Sequence, residues 1–196
     1  MHNPTDLHWK ALKWLLRYLQ GTKTSGLFYS HNSTPTLYCY TDSDWGGDID
    51  DKRSTSGYAI YLGTSLISWL AKKQPTIAKS STESEYKAIA NATSELIWLK
   101  GLLQELRHPV HQATLCCDNI NAIYLSSNPV FHACTKYIEL NYHFVREQVA
   151  SGFLNIKFIN TSDKLADLFT KPLTTTRFQT ICTHLHLCIG QGFAGG

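Results

Sequence analysis

No stretch of this chain stays apolar for the roughly 18 residues that a bilayer-spanning helix needs, so no transmembrane segment is expected. No secretory leader is expected either: the opening residues MHNPTDLHWK are polar and charged where a leader needs an apolar run. The six cysteines (Cys39, Cys116, Cys117, Cys134, Cys182 and Cys188) form no framework spacing, so reduced thiols and an intracellular location are the expectation. Strong charge of either sign is also lacking. A net +3 from 18 Lys and Arg against 15 Asp and Glu favours a polyanionic partner only weakly, and an inert basic surface explains it as well. There is no internal repeat and no low-complexity tract. What is present is 196 residues at 43% hydrophobic content, enough for one ordinary domain with an appendage.

The tail Cys182-Thr-His184-Leu-His186-Leu-Cys188 has the residue types of a metal cluster. On a helix, Cys182/His186 and His184/Cys188 would be i,i+4 pairs on two different faces, and a tetrahedral zinc would need a second element to close it. An amphipathic tail with incidental Cys and His is the better account.

The element order is more informative. A helix begins near Asn3-Pro4-Thr5-Asp6, with Trp9, Leu12, Leu16 and Leu19 at helical spacing and Gly21 as a C-cap candidate. Strands are expected over Thr36–Thr41, Gly57–Leu62 and Ser65–Trp69, the last two joined by a link short enough for an antiparallel meander. A long helix follows over about Thr82–Leu106, capped by Ser81 or Thr82 with Glu85 as a capping-box partner. Beyond it come a strand at Thr114–Cys117, a short helix at Asn119–Ser126 and a longer one at His132–Ala150. A fifth strand at Leu154–Ile159, a short helix at Ser162–Thr170 and an amphipathic helix at Thr175–Leu187 complete the chain. This order is α/β, with three antiparallel strands continued by strands added in parallel through helical crossovers, a five-stranded mixed sheet flanked by helices.

Four acidic residues stand where such a sheet would gather them. Asp42 closes one strand, Asp118 closes another, and Asp167 lies in the short helix after the fifth strand. Glu85 is placed by helical phase: Ile89, Ala92, Leu96, Leu99 and Leu103 fall near its face at about 100° per residue, which puts Glu85 toward the sheet. Glu83 is displaced by about 200° and should face solvent. Asp44 and the Asp48–Asp51 run read as turn residues. A carboxylate on a buried face is costly unless paired or metal-bound, and four converging carboxylates repel. Divalent cations remove that conflict, and hard oxygen donors favour Mg²⁺ or Mn²⁺ over zinc. Two such ions about 3.5–4 Å apart suit phosphodiester cleavage. Taken singly, each residue has a structural explanation as a cap or turn. As a set of four with this sheet order, a site explains them better.

Cations and aromatics lie nearby: Lys72, Lys73 and Lys79 before the long helix with Trp69, and Lys136, Tyr137, Tyr142, His143 and Arg146 on a later one. Such side chains contact phosphates and stack on bases, and they equally make an ordinary solvated face.

These segments together resemble one family. YTDSDWGG, DKRSTSGYAIYLG, ISWLAKKQPTIAKSSTESEYKAIANATSELIWLKGLL, CDNINAIYLSSNPVFHACTKYIELNYHFVREQV and KLADLFTKPL, in order over about 37–173, resemble the ribonuclease H domain of copia-type retrotransposon Pol polyproteins. HWKALKWLLRYLQGT resembles the end of the adjoining reverse-transcriptase region, without that polymerase's YxDD carboxylates. The resemblance implies a ribonuclease-H-like fold and cleavage of the RNA strand of an RNA–DNA hybrid, the ribose 2′-OH marking the strand to be cut. It implies Asp42, Glu85, Asp118 and Asp167 as catalytic metal ligands. It implies an organisation of residues 1–34 as a helical remnant of the thumb or connection region, 35–173 as the ribonuclease H domain and 174–196 as a helix and tail. The rest of the reverse transcriptase is a further implied partner. The chain departs from the family pattern at Tyr137 (usually His), Asn141 (usually acidic) and Cys134 (commonly Arg). INTSDK also lacks the His that cellular ribonucleases H carry before the last carboxylate. Two other readings exist: an idle nucleic-acid-binding or structural remnant of a decayed element, and a DNA-strand-transfer enzyme of the same broad fold, which fits the Glu85 helix less well.

Overall fold

The computed structural model describes residues 3–29, 34–127, 136–160 and 163–189, and the side chains of 136–139 and 188–189 lie outside that description. Its elements in chain order are α1 (Asp6–Thr22), β1 (Ser25–Leu27), β2 (Leu37–Ser43), β3 (Thr55–Leu62), β4 (Ser65–Lys73), α2 (Ser81–Glu105), β5 (Ala113–Cys117), α3 (Ile120–Ser127), α4 (Lys136–Ala150), β6 (Leu154–Phe158), a 3₁₀ turn (Leu165–Phe169), α5 (Thr175–His184) and β7 (Leu187–Ile189).

Five strands form the central sheet in the order β4-β3-β2-β5-β6. β2, β3 and β4 are antiparallel neighbours, while β5 joins β2 and β6 joins β5 in parallel. This is the mixed sheet expected from the element order. The tight β3–β4 link uses Gly63 at φ +61°, a left-handed conformation that favours glycine.

Period-two alternation sends Leu37 and Cys39 of β2 to one face of the sheet and Tyr40 to the other. The first face is covered by α2, whose Ile89, Ala92, Leu96, Leu99 and Leu103 are all buried, with α3 and α4 alongside. Burying each of these leucine and isoleucine side chains contributes about 1.5–3 kcal/mol. On the opposite face, Ile181 of α5 and Leu185 at its C-cap pack with Ala59, Tyr61 and Leu66.

Several local expectations are corrected. The cap of α2 is Ser80, whose Oγ accepts from the Glu83 N–H at 3.1 Å. Glu85 therefore takes no part in a capping box. Glu83 lies off the sheet face as its phase requires, yet its side chain is only 12% exposed because it pairs with Lys87 at 2.8 Å. The segment before Thr170 forms a 3₁₀ turn instead of an α-helix. The last helix stops at His184, and Leu187–Ile189 pairs antiparallel with Ser25–Leu27, a two-stranded sheet too short to show any periodicity in sequence. The expected helix stop at Asn128-Pro129 and the residue Cys134 lie outside the described residues. Among the described residues, no helix is long and apolar enough to cross a membrane.

Candidate functional site

The sheet register brings the acidic residues to one end. Tyr40 pairs with Cys116 across the parallel β2–β5 ladder. Asp42 and Asp118 each lie two residues further on, so both stand at the same level at the carboxyl ends of neighbouring parallel strands, Asp42 within β2 and Asp118 just past β5. Open α/β sheets bind ligands at that edge. β4 runs to the same end, and the loop after it brings in the first turns of α2 with Glu85. The loop is anchored by Gln74, whose buried Nε2 donates to Ser43 Oγ, Ser56 Oγ and the Ser84 carbonyl. β6 ends there too, and the 3₁₀ turn that follows carries Asp167.

Glycine makes room for that turn. Gly57 is the register partner of Asp42 on β3. A Cβ on it would lie 2.7 Å from Phe169 Cβ and 2.8 Å from Thr170 Cγ2. The close approach lets Thr170 Oγ1 donate to Asp42 Oδ2.

Two ammonium groups lie among the four carboxylates, and sequence reasoning found neither. Lys164 is fully buried, and its Nζ contacts Asp42 Oδ1, Asp118 Oδ1 at 2.5 Å and Glu85 Oε1 at 3.3 Å. Lys171 Nζ contacts Asp42 Oδ1 at 3.2 Å and Asp167 Oδ1 at 2.9 Å. Arg177 of α5 reaches Asp167 Oδ2 at 3.8 Å and donates to the Lys164 carbonyl at 3.2 Å. Asp42 is thus shared by two cation seats: one bounded by Asp42, Glu85 and Asp118, the other by Asp42 and Asp167. Lys171 had a faint sequence signal, four residues after Asp167 as an i,i+4 pair. Lys164, beside Asp163 in a polar loop, reads as a solvated lysine and had none.

The electrostatics follow from this arrangement. Burial works to raise the Asp42 carboxyl, and Lys164, Thr170 and Lys171 together hold it below the usual carboxylate range. Burial pushes Glu85 up, Lys164 opposes it and Asp42 and Asp118 add to it, so the carboxyl stands at about 8. Burial works against the charged Lys164, and its carboxylate neighbours outweigh that and raise it. Three carboxylates around one ammonium leave excess negative charge, and a proton on Glu85 relieves it. Glu85 Oε2 is buried and without a hydrogen-bond partner.

That orphaned oxygen bears on whether the cluster suits a metal ion. Among the described residues, Glu85, Cys117 and Asp118 offer ligand atoms within 4.8 Å of one another. Burial and the Glu85 carboxylate push the Cys117 thiol up to about 12, which favours the carboxylate oxygens over the sulfur as donors. Hard oxygens converging on two positions fit Mg²⁺ or Mn²⁺.

The other candidates are placed unevenly. Lys72 is exposed at the end of edge strand β4, where it pairs with Ser56, itself opposite Ser43, beside the Asp42 level. Lys79 is exposed just before α2. Lys73 is tied to Asp48 and Asp51 at 2.6 and 2.8 Å, so the acidic turn is a partner for it. Tyr142 packs against Tyr86, ring centroids 4.1 Å apart, and belongs to the rim of the core. Arg146 Nε donates to the Leu125 carbonyl at 3.0 Å and ties α4 to α3. His143 is exposed on α4, and the Lys136 side chain lies outside the described residues. Trp45, which sequence reasoning passed over, is 56% exposed beside Asp44, with its Nε1 donating to the Ala78 carbonyl at 3.0 Å. In the tail, His184 Nδ1 bonds the Thr180 carbonyl at 2.9 Å, and the Cys188 side chain lies outside the described residues.

No family model matches the chain. The chain is 51% identical to the retrovirus-related Pol polyprotein from transposon RE2 of Arabidopsis thaliana, over 91% of its own length and 12% of that protein's. It is 48% identical to the Pol polyprotein from transposon RE1 of the same plant, over 94% and 13% respectively. To the Pol polyprotein from transposon TNT 1-94 of Nicotiana tabacum it is 41% identical, over 94% and 14%. The chain therefore spans about an eighth of the length of these relatives. Among solved structures, it superposes on LC11-RNase H1 in complex with an RNA/DNA hybrid at a TM-score of 0.53 and 12% identity, covering 69% of this chain and 94% of that one. The N-terminal RNase H domain of a Mycobacterium tuberculosis protein gives 0.51 at 13% identity, covering 69% and 95%. At such identities the likeness speaks for the fold: the sheet and its helices have the ribonuclease H fold.

Proposed function

The chain belongs to the family of retrovirus-related Pol polyproteins of copia-type retrotransposons, and from that premise we propose that it is an endoribonuclease that cleaves the RNA strand of RNA–DNA hybrids. The observation that carries this is the pair of cation seats sharing Asp42 at the carboxyl ends of two parallel strands. Asp42, Glu85, Asp118 and Asp167 would hold two Mg²⁺ or Mn²⁺ ions. When bound, those ions would supply Lewis-acid activation of a water and stabilisation of the departing oxygen.

The chain's own residues do the positioning. Thr170 orients Asp42 through its hydroxyl, and Gly57 lets the turn bearing Asp167 approach β3. Lys72 and Lys79 offer cations to phosphates at the same end of the sheet. Trp45 offers an exposed ring there for stacking. The partner is a nucleic acid hybrid, and the remainder of the polyprotein is the source of any further affinity.

The idle-remnant reading has one observation in its favour: Lys164 places a cation in the inner seat without any metal ion. A labelled RNA–DNA hybrid incubated with the chain and Mg²⁺ or Mn²⁺ separates the two. The wild type should cut the RNA strand and spare the DNA, and Asp42→Asn and Glu85→Gln should each lose about 10²-fold or more. Cutting that survives both substitutions would remove the carboxylates from the chemistry. No cutting at any metal concentration would favour the remnant.

A further inference from the structure

The two cation seats are not equivalent, and the difference lies in the lysines that fill them. Lys171 extends from the end of the 3₁₀ turn with its side chain 38% exposed. Its ammonium can leave Asp42 and Asp167 for water by rotating a flexible stem. Lys164 has a side chain only 1% exposed, and its carbonyl is fixed by Arg177. Its ammonium meets three carboxylates, Asp42, Glu85 and Asp118, and together they bound the inner seat. Withdrawing this group would leave buried Asp42 and Glu85 and partly buried Asp118 with only Lys171, on Asp42, as a counter-charge, a costly state unless another cation arrives as the lysine leaves.

Resting on the metal-dependent reading above, we propose that Lys164 is a tethered cation filling the inner seat of the substrate-free chain. One divalent ion then binds freely between Asp42 and Asp167, and a second is admitted between Asp42, Glu85 and Asp118 only when the Lys164 ammonium is displaced. An ion competing with a group already seated loses apparent affinity in proportion to how rarely the seat is open. Lys171, at the solvent edge, imposes a much smaller penalty on the outer seat. The tethered cation is supplied by the chain's KLADLFTK segment.

Calorimetric titration of the full chain with Mn²⁺, in the absence of nucleic acid, tests this. The wild type should bind one ion in the accessible range. Lys164→Met should bind two, with the affinity of the inner seat raised roughly tenfold or more. Lys171→Met should tighten the first ion and leave the count at one. Two ions on the wild type would overturn the proposal, as would one ion or none on both the wild type and Lys164→Met. Melting in chelator supplies a second measurement that uses the same proteins. Lys164→Met should melt below the wild type, as uncompensated carboxylates require, and should regain more than the wild type when Mn²⁺ is added. If Lys164→Met cannot be obtained folded, Lys164→Gln takes its place in both measurements with the same expected outcomes. Hybrid cutting by the wild type alongside an unchanged count would sink the tethered cation and leave the ribonuclease standing. A count rising from one to two without any cutting would do the reverse.

Discussion

Glu85 is the residue on which the cluster's charge balance turns. Its carboxyl is raised from 4.5 to about 8 by burial and by Asp42 and Asp118, against the pull of Lys164. The folded chain therefore holds this proton more tightly than the unfolded chain does, and stability must fall as pH rises from the ordinary carboxylate value to about 8. Asp42 runs the other way: its lowered value gives a stabilisation that is present above the ordinary carboxylate value and lost as the pH falls through its folded value. Lys164 and Lys171 are raised from an already high value, so neither changes charge in this window. The protein in chelator should melt at progressively lower temperature between about pH 5 and about pH 8.5, and Glu85→Gln should largely abolish that decline. Divalent ions should flatten the wild-type profile by favouring the ionised carboxylate. Parallel pH profiles for the wild type and Glu85→Gln would mean that Glu85 is ionised throughout.

Among the elements, the close contact between β3 and the 3₁₀ turn sets the position of Asp167 and Thr170. Gly57→Ala places a methyl against Phe169 and Thr170 at distances that no relaxed contact has. Overpacking of this kind costs about 1–3 kcal/mol, and relief by moving the turn would carry Thr170 away from Asp42. Hybrid cutting should fall further than thermal stability does. A variant that loses stability alone would show that the turn does not position the site. The basic face divides along similar lines. Lys72→Ala and Lys79→Ala should each lower the salt dependence of hybrid binding by about one charge, with melting unchanged. Arg146→Ala should lower the melting temperature by breaking the tie between α4 and Leu125, a bond contributing on the order of 1 kcal/mol or more. The separation also marks what was legible in sequence. Asp42 and Asp118 were legible because strand ends in a parallel pair share a level, and Glu85 because helical phase ties it to the Ile89–Leu103 stripe. Lys164 was not, since burial of a loop lysine depends on three carboxylates from three other segments. Tyr142 and Arg146 read as a basic-aromatic surface because nothing in their own helix reveals that α2 and α3 cover them.

At the scale of the whole molecule, the two ends of the chain differ in how they serve the site. α1 caps well, with Thr5 and His8 bonding reciprocally at its start, yet none of its residues is buried. Trp9, Leu12, Leu16 and Leu19 therefore form an apolar stripe that no described part of this chain covers. The other end is integrated: Ile181 and Leu185 lie in the second core cluster, and Arg177 joins Asp167 to the Lys164 backbone. β1 and β7 clasp the two ends to each other. Had residues 174–196 been an appendage to a domain ending near 173, removing them would cost little. Their packing argues that residues 35–189 act as one unit. A chain ending at Leu173 should expose Ala59, Tyr61 and Leu66 to water and melt well below the full chain. A chain beginning at Lys23, which keeps β1 and drops α1, should melt within about 2 °C of the full chain, since exposed residues away from such contacts contribute little to stability. Equal melting of the full chain and the chain ending at Leu173 would return the C-terminal helix to the status of an appendage. A large loss on removing α1 would mean that its apolar stripe is covered after all.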